Sequence, residues 1–167
     1  QHGFECGLPA LFDPQALPFV ADHEADLYPI DVLGQRFEIG AVSMGNPHAV
    51  LRVPAVSLAP VDSVGPAMEN HPRFPKRANI GFMEVVDSGH IRLRVFERGV
   101  GETLACGTGA CGAVAVGRRL GLLGPSVQVD LPGGRLTVEW EGAGKPLWLT
   151  GPAETVVEGQ IEVPEVS

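Results

Sequence analysis

The sequence lacks the features that would assign it to several common classes of protein. No apolar run approaches the ~20 residues that cross a membrane, and no signal-peptide pattern opens the chain. Positive charge is scarce, because 12 Lys and Arg stand against 20 Asp and Glu, for a net charge of −8. Proteins that bind nucleic acid or anionic membranes usually carry a basic face, so neither partner is expected.

Cysteine and early methionine are also scarce. The 167 residues contain three cysteines, Cys6, Cys106 and Cys111. An odd, low count argues against a disulfide framework and favours a reducing compartment, so we expect a cytoplasmic protein. The first methionine is Met44, and a chain without an initiator methionine is expected to be a processed product or a fragment.

Turn-forming residues are abundant. The 22 glycines and 15 prolines favour short strands joined by turns, and 44% hydrophobic residues suffice for a folded core. Residues 1–25 are interpreted as an irregular lead-in, and a short helix is predicted to start within 59–63. Apolar alternation and turn signals predict strands at 27–33, 36–42, 49–53, 79–86, 90–96, 127–131, 136–140, 147–150 and 153–157.

One segment is predicted to be a buried helix. Residues 109–120 carry Gly, Ala, Val and Cys on nearly every side before Arg118 and Arg119 in the last turn. A helix that is small and apolar all round is normally surrounded by other elements. The sequence therefore predicts an α+β fold in which mostly antiparallel strands wrap around one central buried helix.

The loop before this helix carries the most chemical information. It reads Glu97-Arg-Gly-Val-Gly-Glu-Thr-Leu-Ala-Cys106-Gly-Thr-Gly-Ala-Cys111. A helix N-terminus presents free N–H groups and a positive dipole, and its glycines allow a ligand to approach closely, so we expect a carboxylate-binding site. A thiol there should have a lowered pKa, which makes Cys106 a candidate base. Cys111, inside the helix, is expected to be a small buried side chain.

Two other interpretations of the loop have less support. It contains no lysine and no Gly-Lys-Ser/Thr sequence, so it does not match a P-loop for phosphate. Cys106 could pair with His48 as in a cysteine hydrolase, but no third group that would orient the histidine is evident.

Three motifs resemble the diaminopimelate epimerase family. They are residues 42–48 (VSMGNPH), 73–82 (RFPKRANIGF) and the loop 97–111, and the shorter segments 131–136 and 150–153 also fit in order. The resemblance covers nearly all of the chain from about residue 26 onward. It implies one half of an enzyme built from two similar halves, with strands wrapped around a central helix in each.

The resemblance also implies a domain organisation. This chain resembles the second half, so the first half is expected to be missing from it. Residues 1–25 would be the inter-domain lead-in, 26–153 the second epimerase domain, and 154–167 a terminal strand that crosses to the first domain. The expected partners are that missing half, a small amino-acid substrate and a second copy in a homodimer.

The function that the resemblance implies is epimerisation of LL-diaminopimelate to meso-diaminopimelate, a step toward lysine and peptidoglycan. The family needs neither pyridoxal phosphate nor a metal, so no cofactor is expected. One cysteine from each half faces the substrate α-carbon from opposite sides. This chain by itself is therefore expected to be inactive.

Individual roles follow from positions that match the family motifs. Cys106 is implied to be one acid/base of the pair, and Glu97 to accept a hydrogen bond from the substrate ammonium. His48 is implied to tune the proton balance of the cysteine. The implied substrate-binding residues are Asn46, Asn79, Glu97, Arg98, Gly107 and Thr108. Arg98 would take the distal carboxylate, and the amides of Gly107 and Thr108 the α-carboxylate.

Two alternatives remain open at the sequence level. A proline racemase or hydroxyproline epimerase would share the fold, although Glu97, Arg98 and the two asparagines suit a second amino-acid head that proline lacks. A non-catalytic binding module of the same fold is a different class, and the retained Cys106 argues against it.

Overall fold

A computed structural model describes residues 2–5 and 10–151, with side chains described from residue 10 onward. The strands in these ranges are β1 (His2–Glu5), β2 (Tyr28–Val32), β3 (Gln35–Ser43), β4 (Pro47–Arg52), β5 (Asn79–Asp87), β6 (His90–Glu97), β7 (Gly101–Thr103), β8 (Ser126–Leu131), β9 (Gly134–Glu139) and β10 (Trp148–Gly151). The helices are α1 (Val61–Glu69) and α2 (Gly107–Arg119), with a 3₁₀ turn at Val56–Leu58. The predicted strand at 153–157 and the segment 154–167 lie outside the described residues.

The strands of the described residues form a single mixed sheet. Its order is β1-β10-β9-β8-β6-β5-β4-β3-β2, and β7 pairs with β6 beside this path. Neighbouring strands are antiparallel except for two parallel pairs, β4 with β5 and β6 with β8. A parallel pair needs a long crossover, and here α1 lies in the first crossover and α2 in the second.

Helix α2 is the centre of the main core. It contacts β3, β4, β5, β6 and β9, and every residue from 109 to 117 is buried. The predicted buried helix is therefore confirmed, with bounds shifted by one or two residues. Close packing is clearest at Gly40 on β3, where a Cβ atom would lie 2.3 Å from Val116 Cγ1. A side chain at position 40 would therefore force Val116 or the backbone to move, at a cost in stability.

A second core lies on the opposite face of the sheet, under α1. Val64 and Met68 of α1 are buried there together with Leu17 and Phe19 from the lead-in. The described part of the lead-in, residues 10–25, is irregular, as predicted, yet it packs against the sheet and bridges to it at Leu11. These contacts bury one face of α1 and hold its C-terminal half against the sheet.

Several predicted strands are confirmed and others need correction. The predicted hairpin at 79–86 and 90–96 corresponds to β5 and β6, and Ile91, Leu93 and Val95 face the core as expected. The strand predicted at 49–53 starts two residues earlier than expected, because β4 already begins at Pro47. Strands β1 and β7 were not predicted. No helix in the described ranges is long and apolar enough to span a membrane.

Candidate active site

Cys106 is the N-cap residue of α2. Its backbone is extended, and its Sγ accepts a hydrogen bond from the Gly109 amide at 3.3 Å and lies 3.7 Å from Thr108 Oγ1. The thiol is half-buried and is the one free cysteine among the described residues. Residue 109 must be small, because a Cβ there would lie 3.1 Å from Sγ and 3.0 Å from Val95 Cγ2. Gly109 thus leaves room for the sulfur within the first helical turn.

The protonation of Cys106 differs from the expectation. Burial raises the pKa of the thiol above its ordinary value, the hydrogen bonds from Gly109 and Thr108 lower it, and the charge of Glu97 raises it again. The net direction is upward, so the predicted lowering of the pKa is wrong for this chain. Loss of hydration outweighs the helix N-terminus here. At neutral pH the sulfur carries its proton, the form that a general acid needs.

Glu97 ends β6 directly beside this thiol. Its Oε1 accepts a hydrogen bond from Thr103 Oγ1 at 2.6 Å, and Thr103 belongs to the neighbouring strand β7. The carboxylate lies close enough to Cys106 to raise the pKa of the thiol. The structure therefore brings these two sequence-predicted residues together.

Asn79 and Arg98 form a second group at the ends of the strands. Asn79 is 5% exposed, its Nδ2 donates to the Pro47 carbonyl at 3.1 Å, and its Oδ1 accepts from the Arg98 amide at 2.9 Å. The side-chain amide thus joins the start of β4 to the end of β6. The Arg98 guanidinium donates to the Lys76 carbonyl at 3.2 Å. A direct contact of Asn79 or Arg98 with substrate stays a prediction.

His48 and Asn46 form a third group. His48 is 2% exposed, and its Nε2 lies 3.0 Å from Asn46 Oδ1, an atom that only accepts. Burial, with a smaller effect from the charge of Arg98, lowers the pKa of His48 to about 4, so the ring is neutral at pH 7. Its described hydrogen bond goes to Asn46, whereas those of Cys106 Sγ go to residues of α2. Tuning of the thiol by His48 stays a prediction.

The remaining expectations concern α2 itself. Gly107 and Thr108 are its first two residues, so their amides have no partner within the helix and stand at its positive end. Cys111 is fully buried, as expected. It is also disulfide-bonded, although the odd, low cysteine count argued against a disulfide framework.

Three residues around the site were missed by the sequence reasoning. Thr103 lies inside the motif 97–111, together with Glu97. Its hydroxyl could have been recognised there as a hydrogen-bond donor to the Glu97 carboxylate. Glu69 and Arg77 form an ion pair at 3.2 Å beside the turn that carries Glu97. A charged residue at the end of an amphipathic helix gives no sign in the sequence that it is buried.

Comparisons with known proteins point to one family for this chain. The family model for diaminopimelate epimerase matches residues 40–156. The diaminopimelate epimerase of Alkalilimnicola ehrlichii is 58% identical over 159 residues, which are 95% of this chain and 57% of that protein. That of Pseudomonas paraeruginosa is 60% identical over 155 residues, 93% of this chain and 56% of that protein. The chain thus spans little more than half the length of these relatives.

Solved structures show a likeness in fold. A probable proline racemase from Agrobacterium radiobacter matches 83% of this chain and 50% of its own, with a TM-score of 0.57 and 19% identity. A hydroxyproline epimerase from Agrobacterium vitis matches 85% of this chain and 46% of its own, with a TM-score of 0.53 and 19% identity. At this identity the likeness concerns the fold alone, and it confirms the predicted α+β class.

Proposed function

Since the chain belongs to the diaminopimelate epimerase family, we propose that it is part of an amino-acid epimerase that interconverts LL- and meso-diaminopimelate. The observation that carries the proposal is the free thiol of Cys106 at the N-terminus of α2, next to the Glu97 carboxylate. Residues 26–153 would form one of the two domains. The rest of a family-length polypeptide would supply the second cysteine.

The proposed reaction consists of two proton transfers at the substrate α-carbon. The protonated Cys106 donates its proton to one face while a base from the other domain removes the α-proton from the opposite face. The configuration inverts, and Sγ is left as a thiolate. In the reverse direction that thiolate removes the α-proton. The raised pKa of Cys106 supports the first of these roles as its resting state. Neither pyridoxal phosphate nor a metal takes part in this scheme.

Stabilisation of negative charge on the substrate is assigned to the helix N-terminus. The amides of Gly107 and Thr108 would donate to the α-carboxylate, in the first turn of α2. Charge that develops at the α-carbon in the transition state lies next to the same dipole. Fixed dipoles of this kind need no reorganisation during the reaction, which is why they contribute strongly to catalysis.

Recognition of the rest of the substrate is assigned to the strand ends. Glu97, fixed by Thr103, would accept from the α-ammonium, and Arg98 would pair with the distal carboxylate. Asn46 and Asn79 would form hydrogen bonds with the distal amino-acid group of the substrate, whose ammonium donates and whose carboxylate accepts. This second amino-acid head separates the proposed substrate from proline and hydroxyproline.

The test is hydrogen exchange in deuterated water, with a polypeptide of full family length that contains this chain. We expect deuterium to enter the α-position of diaminopimelate and expect no turnover by the 167-residue chain alone. Because general acid–base groups contribute about 100-fold or more, Cys106→Ala should lower epimerisation at least that far. Cys106→Ser, which keeps the volume, serves as the matched variant. Unchanged turnover in Cys106→Ala, or exchange of proline instead of diaminopimelate, would contradict the proposal.

A further inference from the structure

Glu69 is a buried carboxylate that the proposed reaction does not use. It ends α1, and the residue is 5% exposed. Its Oε1 accepts a hydrogen bond from the Gly99 amide at 2.8 Å and another from Arg77 Nη1 at 3.2 Å. A buried charge is costly unless it is paired and hydrogen-bonded, and both conditions are met here by groups from two other segments.

The Gly99 amide belongs to the turn that carries Glu97 and Arg98. Successive amides of this turn are each fixed by a different acceptor. The Arg98 amide donates to Asn79 Oδ1 at 2.9 Å, the Gly99 amide to Glu69, and the Val100 amide to the Glu97 carbonyl at 3.1 Å. Two of the three acceptors are side chains from outside the turn. The backbone on both sides of Arg98 is thus held by tertiary contacts.

Arg77 extends this network to the loop before β5. Its φ of 62° lies in the left-handed region, which non-glycine residues adopt at a cost. In this conformation Arg77 Nη1 contacts Glu69 Oε1, and the Arg77 amide donates to the Phe74 carbonyl at 2.9 Å. The neighbouring Lys76 carbonyl accepts a hydrogen bond from the Arg98 guanidinium at 3.2 Å. Two contacts therefore join the loop to the turn. Glu69 binds both Arg77 and the Gly99 amide, and Arg98 binds the Lys76 carbonyl.

We infer that Glu69 is a positioning residue for substrate recognition: it holds the turn 97–100 so that Arg98 meets the distal carboxylate of the substrate. The inference rests on the proposed function, because that function gives Arg98 its role. Glu69 acts through its hydrogen bond to the Gly99 amide and touches no reacting atom. Its loss should therefore affect substrate affinity more than the chemical step.

Glu84 provides a matched control. Its carboxylate also accepts one backbone amide, from Val56 at 3.0 Å, and one arginine, Arg92 at 2.8 Å. It holds the 3₁₀ turn rather than the turn 97–100. In a family-length enzyme, Glu69→Gln should raise KM for diaminopimelate about tenfold, the size expected for one charge-assisted hydrogen bond, with a smaller change in kcat. Glu84→Gln should leave KM and kcat unchanged. A KM in Glu69→Gln equal to that of Glu84→Gln would overturn the inference.

A double-mutant cycle with Arg98→Ala separates positioning from general destabilisation. If Glu69 acts through Arg98, Glu69→Gln should raise KM no further in the Arg98→Ala background. Fully additive effects would overturn the inference. Amide hydrogen exchange of Gly99 needs no activity, and in Glu69→Ala it should be at least about tenfold faster than in the wild type. Unchanged exchange would reject the role of Glu69, whereas a wild-type enzyme that does not epimerise diaminopimelate would reject the proposed function.

Discussion

At the scale of single residues, burial sets the protonation states of Cys106 and His48. It raises the pKa of the Cys106 thiol and lowers the pKa of the His48 imidazole to about 4. In both cases the neutral form is favoured, because a charged group loses its hydration when it is buried. Each shift has a consequence that can be measured on this chain.

The first consequence is a shifted pH profile for alkylation of Cys106. Because the thiolate is the reactive form, the raised pKa should move the midpoint of the iodoacetamide rate above that of the same cysteine in the unfolded chain. Thr108→Val removes a contact that lowers the pKa and should move the midpoint further up. The rate is followed by mass spectrometry of the peptide that contains Cys106. A midpoint below that of the unfolded chain would contradict the burial effect.

The second consequence is a loss of stability in mild acid. The unfolded chain binds a proton at His48 below a pH of about 6.5, whereas the folded chain stays neutral there until about pH 4. The free energy of unfolding should therefore fall as the pH drops through this window, by up to about 3 kcal/mol. Urea unfolding at pH 7 and pH 4.5 measures it. His48→Gln should lack this component, and an identical pH dependence in both proteins would refute the assignment.

At the scale of the elements, the packing of α2 against the sheet is most sensitive at Gly40. A methyl group there would meet the stiff side chain of Val116, with Cγ1 at 2.3 Å and Cβ at 3.2 Å. Gly40→Ala should thus lower the free energy of unfolding by about 1–3 kcal/mol. Gly81→Ala is the control, because its nearest neighbours lie at 3.5 Å or more, and its effect should be about 0.5 kcal/mol or less. Denaturant curves that give equal losses would contradict this packing argument.

Elements with a strong local pattern could be predicted from the sequence. The β5–β6 hairpin follows from alternation around the Asp87-Ser88-Gly89 turn, and α2 from its uniformly small apolar residues. The sheet order could not be predicted, because the parallel pairs β4–β5 and β6–β8 join segments separated by helices. Strand β7 has three residues, too few to show a period.

The candidate site, like the fold, could be predicted from the sequence only in part. Cys106 and Glu97 follow from one contiguous motif, and the structure brings them together. The direction of the Cys106 pKa shift could not be predicted, because the sequence shows the helix start but not the burial around it. Glu69 was missed because its partner Gly99 is 30 residues away along the chain.

At the scale of the whole molecule, the end of the sheet at β2 is covered by side chains. In the described residues β2 is the last strand of the order. The Pro29 carbonyl accepts from Arg73 Nη1 at 2.6 Å, and the Asp31 carbonyl lies 3.0 Å from His71 Nε2. Pro29 has no amide hydrogen to offer. These features block the pairing of another strand, a common cause of aggregation.

Removal of this protection should cause self-association. Arg73→Ala frees the Pro29 carbonyl and also removes a guanidinium that lies 4.5 Å from the Phe19 ring centre. Light scattering should then increase with protein concentration, and stability should fall by about 1 kcal/mol. Arg36→Ala is the control, since it breaks only an exposed ion pair with Asp31 on β2. Equal light scattering from both variants would show that Arg73 does not protect the β2 edge from self-association.

The pairing of β1 with β10 determines how the described chain would respond to a pulling force. The strands are antiparallel, and His2 stands opposite Gly151, so both ends of the described fold lie side by side. Tension between these ends would load one pair of residues at a time, from His2 and Gly151 inward to Glu5 and Trp148. β1 would therefore separate from β10 under a low force, one residue pair after another, before α2 and its surrounding strands bear any load.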